Sequence, residues 1–178
     1  MELQKVHIKI TLLLIFLPCV VLAHGNKNHD IDKEKKNVQA NINIARNNYK
    51  NKLNQVSKVY NESIKPIFSS KCLMCHGANN KLPWYYKIPI VKQLIDHDIE
   101  EAKEHIDMSK GFPFGGHGSP IEDLKTIMES TKNETMPPFQ YKMMHWNSEI
   151  TQQEKRIVLE WVSESIKTIS KIQVGLDE

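Results

Sequence analysis

The chain has 178 residues, of which 40% are hydrophobic and 25% charged, with both signs interspersed and a formal net charge of +3. That length and composition suit one globular domain with extensions. The basic excess is too slight to specify a nucleic-acid binder, so nucleic acid is excluded as the expected partner.

Residues 1–23 read as a secretory signal. Lys5 and Lys9 give a positive start, residues 10–22 are an almost unbroken apolar run, and Val21-Leu22-Ala23 resembles a cleavage site. The expected mature chain starts at His24 and is periplasmic or otherwise exported. The apolar core is about a dozen residues, short of the ~20 that a membrane span needs. Two readings compete: lipoprotein processing at Cys19, which Pro18 disfavours, and retention of the segment as an anchor, which would bring the protein close to a membrane. After cleavage the chain keeps only Cys72 and Cys75.

Residues 24–36 are polar and aperiodic, and predict a disordered lead-in in which His24 and His29 are solvated. Apolar residues at Val38, Ile42, Ala45, Tyr49, Leu53, Val56 and Val59 then put one stripe on a helix over residues 38–60. That helix either lies along the following domain or self-associates as a short coiled coil. A boundary is expected near Asn61. A second helix is predicted over residues 64–75, with Pro66 tolerable only near its start.

The second helix carries Cys72-Leu73-Met74-Cys75-His76. Two thiols separated by two residues and followed by an imidazole form the attachment signature of a c-type haem. Each cysteine can add across a haem vinyl group, and His76 is then placed to ligate the iron. A structural zinc site would need two further ligands, and a thioredoxin-like dithiol would sit in a strand-rich pattern that this chain lacks. Gly77 provides an exit from the helix.

Leu82-Pro83-Trp84-Tyr85-Tyr86 is an aromatic cluster behind a turn. Trp84 and Tyr85 are candidates for haem packing or a propionate contact; core packing is the alternative. Residues 90–108 predict a long helix with Val91, Leu94, Ile95, Ile99, Ala102 and Ile106 buried, and a solvated acidic face. His97 and His105 are eight residues apart, which is not the spacing of a helical metal pair. Residues 111–118 (GFPFGGHG) are a loop. Ser119, Pro120 and Glu122 complete a capping box for a helix that should stop near Lys132.

Met136-Pro137-Pro138 follows. A residue before proline is pushed into extended geometry, and two prolines stiffen a loop from which a thioether can face an open iron position. Met136 is therefore the expected distal ligand. Met143, Met144, His117 and His145 compete for that position, an open site is the further alternative, and Met136 as mere core filling is the plainest one. Thr151 and Glu154 start a final helix with a second capping box, and its stripe is Ile157, Val158, Trp161, Val162, Ile166 and Ile169. Residues 172–178 should fray.

With helix, CxxCH, Met-Pro-Pro and a tryptophan-bearing terminal helix in that order, the chain resembles monohaem c-type cytochromes, and more narrowly the bacterial family known as the haem-binding domain. The pieces carrying the resemblance are residues 72–77, 83–85, 94–105, 136–138 and 154–162, within residues 61–167. It implies an all-α, cytochrome c-like fold around one covalently bound haem c; that domain is expected over residues 61–171, preceded by a polar lead-in and amphipathic helix over residues 24–60 that the resemblance leaves out. Cys72 and Cys75 would then hold the haem, His76 would be the proximal and Met136 the distal ligand. The expected function is a secreted carrier that passes single electrons to an unidentified redox partner, rather than a catalyst. Two alternatives stand beside it: a haem enzyme or a gas- or peroxide-responsive sensor with an open or displaceable sixth position, and an interaction module acting through the 38–60 helix.

Overall fold

The computed structural model describes residues 27–78 and 82–171. The expected leader over residues 1–23, the alternatives built on it, and the C-terminal end over residues 172–178 lie outside the described residues. The chain divides into two units, Met1–Gln39 and Ala40–Glu178. In the first, the described residues form the opening turns of α1 (Lys27–Val59), and those from Ile31 onward are exposed.

The expected lead-in is thus helical from Lys27. Extending a helix outward from a formed segment adds one hydrogen bond for each residue fixed, so a polar sequence with few breakers propagates once nucleated. In the second unit the predicted stripe is buried only in part, and its last member, Val59, is exposed. Ile42 stays exposed, Tyr49 and Leu53 pack against the core, and Val56 is buried.

Pro66 explains what comes next. It has no N–H to donate to residue 62, and its ring would collide with that residue's carbonyl in an unbroken helix. The chain widens instead into a π turn over Tyr60–Ile64, where the Lys65 N–H reaches back to the Tyr60 carbonyl. The boundary expected near Asn61 is therefore a change of helical register, and α2 (Lys65–Lys71) follows at once. The π turn also directs both Tyr60 and Ile64 into the core, where neither is exposed.

The remaining elements are α3 (Leu73–His76), a 3₁₀ turn (Trp84–Lys87), α4 (Pro89–His105), α5 (Pro120–Asn133), α6 (Phe139–Met144) and α7 (Gln152–Ser170). Both predicted capping boxes are present: the Ser119 and Thr151 hydroxyls accept from the backbones of Glu122 and Glu154, whose carboxylates accept from the cap backbones in return. α5 packs on α7, with Leu124 and Ile127 buried on one helix and Val158, Val162 and Ile169 on the other. The fold of the described residues is all-α, with one isolated antiparallel bridge between Asp107 and Gly115. No helix among them is long and apolar enough to cross a membrane.

That bridge reveals what the glycine-rich loop does. It closes residues 107–115 into a narrow turn, and Phe112 and Phe114 are driven inward. Phe114 meets Tyr60 edge-on at 5.3 Å, and Phe112 meets Trp161 at 6.0 Å. Such edge-to-face pairs add about 0.5–1.5 kcal/mol beyond burial. Gly116 sustains the return, at φ +108° with the His105 carbonyl 2.6 Å from where a Cβ would stand. Expected as a plain loop, the segment supplies part of the core.

Two measurements test this arrangement. Phe114→Ala should destabilise the domain by about 3 kcal/mol in denaturant unfolding, as a core truncation rather than a loop change does. Asp123, at the start of α5, is buried with no hydrogen-bond partner on Oδ2 among the described residues, and burial raises its pKa to about 6. The folded chain therefore holds this proton more tightly than the unfolded one. Its contribution to stability is full below the unfolded value near 3.8 and is lost as pH rises through about 6. Asp123→Asn should melt higher than wild type at pH 8, and the gap should close as pH falls to ~4.

Candidate cofactor site

The two thiols and the imidazole sit on one local turn. Cys72, at φ −120°, ends α2, and α3 starts immediately after it. The Cys72 N–H still bonds the Phe68 carbonyl at 2.8 Å, while the Cys72 carbonyl accepts from the N–H groups of Cys75 and His76 at 3.2 and 3.0 Å. The helix predicted over residues 64–75 is thus two short helices hinged at the first cysteine. Gly77 ends the turn because its backbone passes over Leu73, whose carbonyl lies 2.5 Å from where a Cβ would be.

α3 packs on α4. Asp98 of α4 is close enough to Cys75 to raise its pKa, and His105 and Asp107 are ionisable neighbours of His76. The His76 ring is fixed from outside its helix: Nδ1–H donates to the Ile106 carbonyl at 2.8 Å. In return the His76 carbonyl accepts from the Met108 N–H at 2.8 Å. The first bond settles the tautomer, because a carbonyl only accepts, and it leaves the Nε2 lone pair available to a metal. Burial lowers the His76 pKa, which keeps the ring in the neutral form that a ligand needs.

Both cysteines are free thiols. Burial, reinforced by the neighbouring Cys75, pushes Cys72 up to about 12, and burial followed by Asp98 raises Cys75. A working dithiol shows the opposite, with a thiolate stabilised at a helix start or beside a cation. Nor do other ligands converge: among the described residues no group of three or more His, Cys, Asp or Glu side chains could hold a bare metal ion. A macrocycle that brings its own four nitrogens asks the protein only for axial ligands and an apolar setting. Exposed apolar side chains are carried by Ile90 and Leu94 of α4, the helix packed on α3, and by Met143 and Met144 of α6, whose Tyr141 hydroxyl reaches Met74. Of the stripe expected to be buried over residues 90–108, Ile106 is buried, Val91, Ile95, Ile99 and Ala102 are half-buried, and Leu94 is exposed. Two thiols, a tautomer-locked imidazole and these exposed apolar side chains fit a haem.

A family model described as a haem-binding domain matches residues 27–164. The chain belongs to that family. The match takes in α1, which the sequence resemblance over residues 61–167 left out, and the packing of Tyr49, Leu53 and Val56 into the core gives that extension a physical basis. The haem-binding domain also aligns with cytochrome c peroxidase Ccp of Escherichia coli (strain K12), at 32% identity over 94 residues, 52% of this chain and 20% of that protein. The chain thus spans about a fifth of the length of that relative. No solved structure matches. Family, fold and donor set make this a haem protein of all-α, cytochrome-like architecture.

The other candidate residues are placed as follows. Met136 stands between α5 and α6, 49% exposed, beside a buried Pro137. Trp84 is 80% exposed and meets the Tyr85 ring edge-on at 5.8 Å, so it is not part of the core. The Tyr85 hydroxyl lies 3.2 Å from His145 Nε2, so its partner here is a histidine. His97 and His117 are exposed, and the His117 ring faces His105 at 6.3 Å. His145 has both ring nitrogens engaged and stacks on Tyr141 at 4.0 Å. Sequence reasoning missed the cluster of Tyr85, Tyr141 and His145; the i, i+4 spacing of Tyr141 and His145 was its only local signal.

Gly77→Ala tests the turn. A methyl group there meets the Leu73 backbone, so the variant should lose roughly 1–3 kcal/mol in denaturant unfolding. Full stability would show that the exit from the motif is not tightly packed.

Proposed function

We propose that this haem-binding domain is an exported c-type cytochrome that passes single electrons between partner proteins. Cys72 and Cys75 would hold one haem through thioethers, and Nε2 of His76 and the Met136 sulfur would ligate its iron. The observation that carries it is the fixed His76 ring beside two free thiols on one turn. When bound, the haem supplies an iron that exchanges one electron between ferrous and ferric states.

The chain's own groups do the rest. Ile106 aims the imidazole and sets its basicity through Nδ1–H. Cys72 and Cys75 are unpaired with each other, so both thiols are present to form the thioethers. Met136 offers a thioether, whose ligation raises the potential relative to a second imidazole. Ligation on both sides leaves no position for a substrate, which supports a carrier over a catalyst.

A second reading is a haem enzyme or a gas- or peroxide-responsive sensor in which Met136 is displaceable; the alignment with a cytochrome c peroxidase is the observation that keeps it in view. In that reading the domain remains a haem protein. The carrier reading predicts a ferric absorption spectrum with a methionine–iron charge-transfer band in the far red, lost in Met136→Ala. Carbon monoxide binding to untreated ferrous protein would instead establish the displaceable site. A bis-imidazole spectrum unchanged in Met136→Ala would remove Met136 from the iron.

A further inference from the structure

We propose that His145 is the latch that holds the 136–146 segment against the CxxCH turn, and so sets how firmly Met136 is presented. This rests on the reading of Met136 as the distal ligand. The segment needs such a device. α6 is six residues long, buries none of its side chains and has no side-chain cap. Pro137 at one end and Ser148 at the other are buried, but between them the chain lacks a core face of its own.

What it has is an aromatic stack. The Tyr141 hydroxyl donates to the Met74 sulfur, inside the motif, at 3.2 Å. The His145 ring lies on the Tyr141 ring, with centroids 4.0 Å apart and planes 14° from parallel. His145 Nδ1–H donates to the Tyr141 carbonyl at 3.1 Å. A carbonyl only accepts, so Nδ1 carries the hydrogen, and Nε2 accepts from the Tyr85 hydroxyl at 3.2 Å. One imidazole thus joins three pieces of chain: the 3₁₀ turn through Tyr85, α6 through Tyr141, and through Tyr141 the motif at Met74. With both nitrogens used, His145 acts as a positioning residue and not as a reserve ligand. A thioether is a soft, weak donor, so its occupancy of the iron depends on how rarely the segment that carries it swings away. An external ligand reads that open fraction directly, because its apparent affinity scales with the population able to bind.

The test uses full-length holoprotein, with imidazole as the probe. Wild type should show the methionine–iron band and weak imidazole binding. Tyr85→Phe removes one oxygen and one hydrogen bond, and should tighten imidazole binding about fivefold while the band persists. His145→Ala removes the stack and both bonds, and should lose the band. His145→Gln restores an acceptor for Tyr85 and should recover part of it. Unchanged band and imidazole affinity in Tyr85→Phe and His145→Ala would overturn the latch alone. A wild-type spectrum without the band would overturn the ligand assignment and the latch together. So would a bis-imidazole spectrum that His145→Ala abolishes. If His145→Ala does not accumulate, Tyr85→Phe decides.

Discussion

The site depends on a reciprocal pair of hydrogen bonds. His76 gives its Nδ1–H to the Ile106 carbonyl and takes the Met108 N–H on its own carbonyl, each at 2.8 Å. A four-residue helix has no stability of its own in water, and α3 holds its place because its last residue is tied on two sides to the strand-like stretch after α4. The same bonds decide which ring nitrogen faces outward. Geometry, tautomer and basicity of the proximal ligand therefore follow from the path of the backbone between Ile106 and Met108.

That path is itself set by aromatic packing. The Asp107–Gly115 bridge closes the glycine-rich turn, which places Phe112 and Phe114 beside Trp161 and Tyr60. Tyr60 is inward because Pro66 forces a π turn upstream. A proline in one helix and glycines in a loop fifty residues later thus converge on one cluster. That cluster fills the space behind Cys72, and its burial explains why this thiol stays protonated. The turn is thus backed by the core, against which Cys72 and Leu73 pack, while Leu94 of α4 and Met143 of α6 are exposed.

Much of this was legible in the sequence where the signal is local. The CxxCH spacing names the cofactor class from five residues. Ser119 with Glu122 and Thr151 with Glu154 set two helix starts to the residue. What was not legible is long-range. Phe112 and Phe114 alternate with proline and glycine, which reads as a turn, and only the distant Tyr60 and Trp161 make them core. Leu94 was assigned to a buried stripe by periodicity, yet it is exposed, because periodicity does not say whether a partner surface lies opposite. His145 was weighed as an iron ligand on residue type, and its two hydrogen bonds give it a different role.

The central claim is that the Cys72–His76 turn binds haem covalently. Intact-mass measurement of the protein under denaturing conditions, after expression with haem-attachment machinery, tests it most directly. The account predicts a chain heavier by one haem, with the added mass on the peptide that contains Cys72 and Cys75, and a chain of apoprotein mass when both cysteines are replaced. A wild-type chain at apoprotein mass whose haem is released on unfolding would contradict it.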